Sequence, residues 1–182
     1  MKVLVDFHYS DFWVDPGQQK KPDAWKNDSG DKLVDDVYAY TAKVMQDFNA
    51  QGVTPDMVQV GNELNNGMLW PEAQLTEDNP NGYKFLAKLL NAGLQAVHDN
   101  DKDNKVKTMI HLAGVDVNLY HTFFDNLIVK NKVNDFDIIG MSFYPFWHGT
   151  MDDFKNTMND VSANYNKDVI AVETDFGYTL ED

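Results

Sequence analysis

The chain has 182 residues, 43% of them hydrophobic and 13% aromatic, which is enough for one domain with a sizeable core and too apolar for a disordered segment. A formal net charge of −14 argues against nucleic acid and an anionic membrane surface as partners and favours a neutral substrate. The absence of cysteine removes disulfides and thiolate metal sites, and no apolar run is long enough to span a bilayer.

In chain order, the first element is the strand-like "KVLVDF" (2–7), which follows Met1 directly with no leader peptide between them. That places the protein inside the cell or marks an N-terminus other than the natural one. The next residues, "DFHYSDFW", replace the glycine-rich phosphate loop that a dinucleotide-binding sheet would carry. A long loop (9–32) leads to a helix with Leu33, Val37, Tyr40, Val44 and Phe48 on one face. "MVQVGN" (57–62) is the second strand, followed by another long loop (64–82) and a helix striped by Leu86, Leu90, Leu94 and Val97. "VKTMIHLAG" (106–114) is the third strand. The helix after it carries Leu119, Phe123, Phe124, Leu127 and Ile128, with Asn118 as its expected N-cap. "FDIIGMSFY" (136–144) precedes a fourth helix with Phe154, Met158, Val161 and Tyr165, expected to be capped by Asp152, and "DVIAVET" (168–174) is the fifth strand.

Strands alternating with helices predict a parallel sheet covered by helices. Both an open doubly wound sheet and a (β/α)₈ barrel fit that pattern. The polar residues choose between them. Every strand ends in a polar group: Asp6 and His8, Asn62 and Glu63, His111, Tyr144 (followed by Trp147), and Glu173. In a parallel sheet these lie on one side, where barrel enzymes keep their sites. Glu63 and Glu173 are a carboxylate pair on non-adjacent strands, as retaining glycoside hydrolysis requires with a separation of about 5–5.5 Å. A flat sheet would hold them too far apart, so this reading favours the barrel.

Five blocks, "VDFHYSDFWVDPGQQKKPDAW", "VQVGNELNNGMLWP", "IHLAGVDVNLY", "DIIGMSFYPFWHGT" and "VIAVETDFGYTLED", resemble successive blocks of glycoside hydrolase family 53. That family comprises endo-β-1,4-galactanases, which cut the galactan side chains of pectin (type I arabinogalactan). The resemblance implies a TIM barrel, a β-1,4-galactan or galacto-oligosaccharide substrate, and an extracellular location. It implies Glu63 as acid/base, Glu173 as nucleophile and Asn62 as partner of a sugar hydroxyl. Tyr144 would position the nucleophile, Trp147 would be an aromatic platform, and Asp6, His8 and His111 would line the cleft. The family block "ETxYxYT" reads "ETDFGYT" here, a departure that touches the neighbouring subsite and leaves the nucleophile.

The same alignment starts the chain at the third barrel strand and ends it after the seventh. Residues 1–182 are then one partial catalytic domain without the first two strands and the last, and its exposed edges are expected to promote self-association. No cofactor is required. A structural calcium ion is implied for the full-length parent, with Asp182 as a first ligand. Two rival functions are a metal-dependent barrel hydrolase built on Asp6, His8 and His111, and an inactive galactan-binding fragment. Trp13, Trp25 and Trp70 either line subsites or pin the long loops.

Overall fold

The computed structural model describes residues 2–177. In chain order the elements are β1 (Leu4–Phe7), α1 (Gly30–Ala50), β2 (Met57–Val60), the short β3 (Gly67–Met68) and β4 (Ala73–Gln74), and α2 (Gly82–Asn100). There follow β5 (Lys107–Ala113), α3 (Val117–Phe124) running into a π-helical turn at 125–130, β6 (Ile138–Ser142), a single-turn α4 (Pro145–His148), α5 (Met151–Tyr165) and β7 (Asp168–Glu173). The five strands expected from sequence are all present, shortened at their ends, and form one sheet in the order β1-β2-β5-β6-β7. All four neighbouring pairs are parallel. Among the described residues, β1 and β7 each have one neighbour, so each leaves one edge of its backbone unpaired.

The core lies between sheet and helices. Val58 and Val60 of β2, Ile110 and Leu112 of β5, and Ile139 and Met141 of β6 meet Leu33, Leu86, Leu90, Leu94, Phe123 and Phe124, all of them buried. β5 and β6 are buried along almost their whole length, as expected for central parallel strands covered on both faces. The buried stripe of α1 is Leu33, Val37, Thr41 and Met45, so the face is rotated from the expected one and Tyr40 is half exposed. Thr41 was hidden in the apolar count because it is polar. Its hydroxyl donates to the Val37 carbonyl at 2.8 Å and meets the Tyr9 hydroxyl at 2.7 Å, which satisfies it inside the core. Gly93 lets α2 approach the sheet closely: a Cβ there would stand 2.5 Å from Val60 Cγ1.

Two caps differ from expectation. Asp116, not Asn118, caps α3, with its carboxylate accepting from the Asn118 N–H at 2.9 Å. Thr150, not Asp152, caps α5: its hydroxyl accepts from the Asp153 N–H at 3.1 Å, and the Asp153 carboxylate accepts back from the Thr150 N–H at 2.9 Å. This reciprocal pair satisfies two otherwise orphaned donors, which a single aspartate one position inside the helix cannot do.

The two long loops are fastened to each other. Trp70 N–H donates to the Gln19 carbonyl at 2.8 Å, Asn66 Nδ2 to the Pro16 carbonyl at 2.8 Å, and Lys21 pairs with Glu72 at 2.8 Å. Trp70 Nε1 donates to the Asn66 carbonyl at 2.9 Å, and Trp25 packs edge-on against Tyr40 at 5.9 Å between ring centroids. These two tryptophans pin the loops, whereas Trp13 is 65% exposed.

Candidate active site

β2 ends in a tight reversal. Gly61 has φ +85° and Glu63 has φ +46°, so left-handed residues flank Asn62 and turn the chain out of the sheet. Gly61 is required on two counts: its φ, and the space a Cβ would need, since that atom would stand 2.7 Å from Leu64 Cδ2. Gly61→Ala is therefore expected to destabilise the fold by about 1–3 kcal/mol, read as a lower denaturation midpoint in urea. Glu63 is not glycine yet occupies the same region, a backbone strain typical of functional positions.

The turn delivers Glu63 to a buried polar cluster. Glu63 is 8% exposed as a residue, and Ser142 Oγ of β6 lies 2.6 Å from its Oε1. Burial pushes the Glu63 carboxyl above the ordinary carboxylate range. The Ser142 hydrogen bond opposes that, and the nearby charges of Glu173 and Asp15 add to it. Glu173 reaches the site from β7 through a bulge: Met141 pairs with Ala171 while Ser142 pairs with Glu173, so Val172 is the extra residue. Tyr144 donates its hydroxyl to Glu173 Oε2 at 2.9 Å. Burial, then that bond and the carboxylate's charge, push the Tyr144 phenol up to about 12, so it stays a donor throughout the neutral range.

One carboxylate oxygen each of Glu63 and Glu173 and a ring nitrogen of His111 all lie within 4.8 Å of one another. Strand twist and the bulge therefore bring the two carboxylates together although β5 and β6 separate their strands. The two carboxylates thus face each other at the strand ends with a pair of their oxygens within 4.8 Å.

The remaining expected residues divide. Asn62 is 3% exposed; its Nδ2 donates to the Val14 carbonyl at 2.8 Å, and its Oδ1 accepts from Gln59 Nε2 at 3.1 Å. Asp6 and His8 form a pair at 3.0 Å, and the Val14 N–H donates to His8 Nδ1 at 3.1 Å. Asp6 raises the His8 pKa, whereas the Val14 N–H is satisfied only by the neutral ring. Trp147 is 78% exposed on α4, its ring 5.6 Å from that of Tyr144. Beside it Phe146 and Phe176 pack together at 5.3 Å. Asp182 lies outside the described residues.

Two expectations are corrected. His111 does not line the cleft: it has no exposed surface, because it sits in the middle of β5 behind Glu63. Asp6, His8 and His111 do not form a metal set either. Among the described residues the group close enough to share an ion is Glu63, His111 and Glu173. Both His111 nitrogens are already engaged, Nδ1 with Gln59 Nε2 at 3.0 Å and the Glu63 N–H at 3.3 Å and Nε2 with Ser142 at 2.8 Å, so neither is free for an ion. The structure adds three residues that the sequence pattern does not single out: Gln59, Ser142 and Gln19. Gln19 is 1% exposed and donates to the Asn62 carbonyl at 2.8 Å, tying the first loop to the Asn62–Glu63 turn. The available signal was a polar residue inside an apolar strand, as in "MVQV" and "IIGMS".

A parallel sheet covered by helices, with two facing carboxylates at its strand ends, is the arrangement of a (β/α)₈ barrel, of which this chain forms a portion. The family model for Glycosyl hydrolase family 53 matches residues 1–182, and the chain belongs to that family. It is 37% identical over 182 residues to an endo-beta-1,4-galactanase of Bacillus subtilis, covering 100% of this chain and 40% of the relative. It is 36% identical over 182 residues to a probable arabinogalactan endo-beta-1,4-galactanase A of Neosartorya fischeri, covering 97% and 50% respectively. The family 53 catalytic domain of Ignisphaera aggregans superposes with a TM-score of 0.88 at 43% identity, covering 100% of this chain and 48% of that one. A fungal beta-1,4-galactanase structure gives a TM-score of 0.87 at 32% identity, covering 97% and 53%. The chain thus spans about half the length of the relatives it matches.

Proposed function

We propose that this chain carries the catalytic pair of a retaining endo-β-1,4-galactanase. The observation that supports this most is the approach of Glu63 and Glu173 to within 4.8 Å at the strand ends. Glu173, held by Tyr144, attacks the anomeric carbon while Glu63 protonates the leaving oxygen; Glu63 then takes a proton from the water that releases the galactosyl-enzyme. Its raised pKa suits the first step, because it keeps the acid protonated where an ordinary carboxylate has ionised. Asn62 has one N–H left after its bond to Val14, available to a sugar hydroxyl. The exposed Trp147 offers a ring face for a galactose.

In this reading residues 1–182 supply the third to seventh strands of the barrel, and the enzyme works outside the cell on the galactan side chains of pectin. The open edges of β1 and β7 then favour association of two copies of this chain, which light scattering against concentration would detect. The functional test compares β-1,4-galactan turnover by this chain and by a version extended at both ends to the length of its relatives. Release of galacto-oligosaccharides, unaffected by chelation, supports the proposal. Binding without turnover in both versions selects a carbohydrate-binding role instead.

A further inference from the structure

Ser142 Oγ stands between two buried partners, 2.6 Å from Glu63 Oε1 and 2.8 Å from His111 Nε2. None of these three residues is more than 8% exposed. A serine hydroxyl has one proton to give. An ionised carboxylate only accepts, so that proton goes to Glu63, and the Ser142 oxygen must take its second bond from a protonated Nε2. Nδ1 is then bare. Two donors are aimed at it: Gln59 Nε2 at 3.0 Å and the backbone N–H of Glu63 itself at 3.3 Å. Asn62 Oδ1, 2.9 Å from Nδ1, is the one neighbour this tautomer does not serve, and it is satisfied by Gln59 Nε2. The opposite tautomer would bond Asn62 but would set an N–H against two donors and draw the serine proton away from the carboxylate.

We propose that Ser142 is a positioning residue for Glu63, and that His111, in its Nε2–H tautomer, holds that glutamate at both ends: the strained backbone through Nδ1 and the carboxylate through Ser142. Oε1 is thereby committed to the protein, and Oε2 is the oxygen that exchanges a proton with the glycosidic oxygen. The ring can do this because it stays neutral: burial lowers the His111 pKa to about 3. The β-register supports the arrangement, since Ser142 lies beside Ala113 of β5 and Glu173 of β7, on the strand between those carrying His111 and the nucleophile. The charged and titratable groups facing Glu63 are Glu173, Asp15, His8, Tyr144 and Tyr120.

Two measurements on this chain need no turnover. In protein labelled with ¹⁵N-histidine, at a pH well above the Glu63 midpoint, the ring shifts of His111 are expected to show the Nε2–H tautomer; an Nδ1–H ring overturns the proposal. In protein labelled at the glutamate δ-carbon, Ser142→Ala is expected to raise the Glu63 titration midpoint, because it removes a donor to the charged form. A serine that merely fills space would leave that midpoint in place, and an unmoved midpoint in a folded variant overturns the proposal. The catalytic arm rests on the acid/base reading above. In an active polypeptide Ser142→Ala lowers kcat/KM about 10-fold and moves the alkaline limb of its pH profile upward. Loss of rate with the limb unmoved contradicts it. If neither the wild-type chain nor its extended version turns over galactan while both labelling results hold, the enzymatic reading fails and the positioning pair stands.

Discussion

Glu173→Gln is expected to lower galactan turnover by about 10⁴-fold or more while the fold and substrate binding persist. The substitution replaces an oxygen by a group of nearly equal size. It keeps one oxygen able to accept from Tyr144, whose hydroxyl lies 2.9 Å from Oε2 in the native protein. What is lost is the negative charge and with it the nucleophile, so no galactosyl-enzyme can form. Glu173 is only half-buried at the end of an edge strand, which limits the structural cost. Turnover and oligosaccharide affinity measured together check the prediction. Near-native rates would remove Glu173 from the mechanism, and loss of both rate and binding would indicate that the variant is misfolded.

Glu63→Ala is expected to produce a different defect. On galactan, whose leaving group is a sugar alkoxide, removing the proton donor costs about 10²–10⁴-fold in rate. On an aryl β-galactoside with an acidic phenol the leaving group departs without a proton. Glu173 still reacts, and the covalent intermediate accumulates because no base activates water. Azide, which the missing carboxylate no longer repels, should then restore turnover and yield the β-galactosyl azide. The α-azide, or equal losses on both substrates without rescue, would contradict the assignment. The wild-type pH profile belongs to the same argument. Burial, opposed by Ser142 and reinforced by Glu173, raises the Glu63 pKa. With Glu63 as the proposed proton donor, its protonated form is the active one, so activity is expected to persist to a pH above the ordinary carboxylate range and to fall as that raised pKa is crossed.

The parts of this structure that were legible in the sequence are those where one physical pattern dominates. Apolar β-branched runs gave β2, β5 and β6, because both faces of these strands are buried. Glu63 and Glu173 stood out because a carboxylate at the end of an apolar strand has few structural uses. The α1 face lies one position from the apolar pattern because Thr41 packs inward as a satisfied polar residue, while Tyr40 sits half exposed at the margin against Phe7, Tyr9 and Trp25. The α5 cap escapes a reading of single residues because a capping box is reciprocal: Thr150 caps the helix only together with the answering Asp153. The burial of His111 is not legible because sequence shows that a strand carries a histidine but not which way its ring faces. Ser142 and Gln59 were invisible for a related reason. Their roles exist only through partners on other strands, 79 residues away for Ser142 and Glu63 and 52 for Gln59 and His111.

The most direct test of the paired-carboxylate account is covalent trapping. A galactobiosyl fluoride bearing fluorine in place of the 2-hydroxyl slows both chemical steps, while its good leaving group lets the first proceed, so the intermediate persists. Intact-mass and peptide mass spectrometry of the treated protein are expected to show one added glycosyl unit, carried on Glu173, and no such addition in Glu173→Gln. A label carried by another residue, or unchanged labelling in the variant, would contradict the assignment of Glu173 as nucleophile and of Glu63 as its acid/base partner.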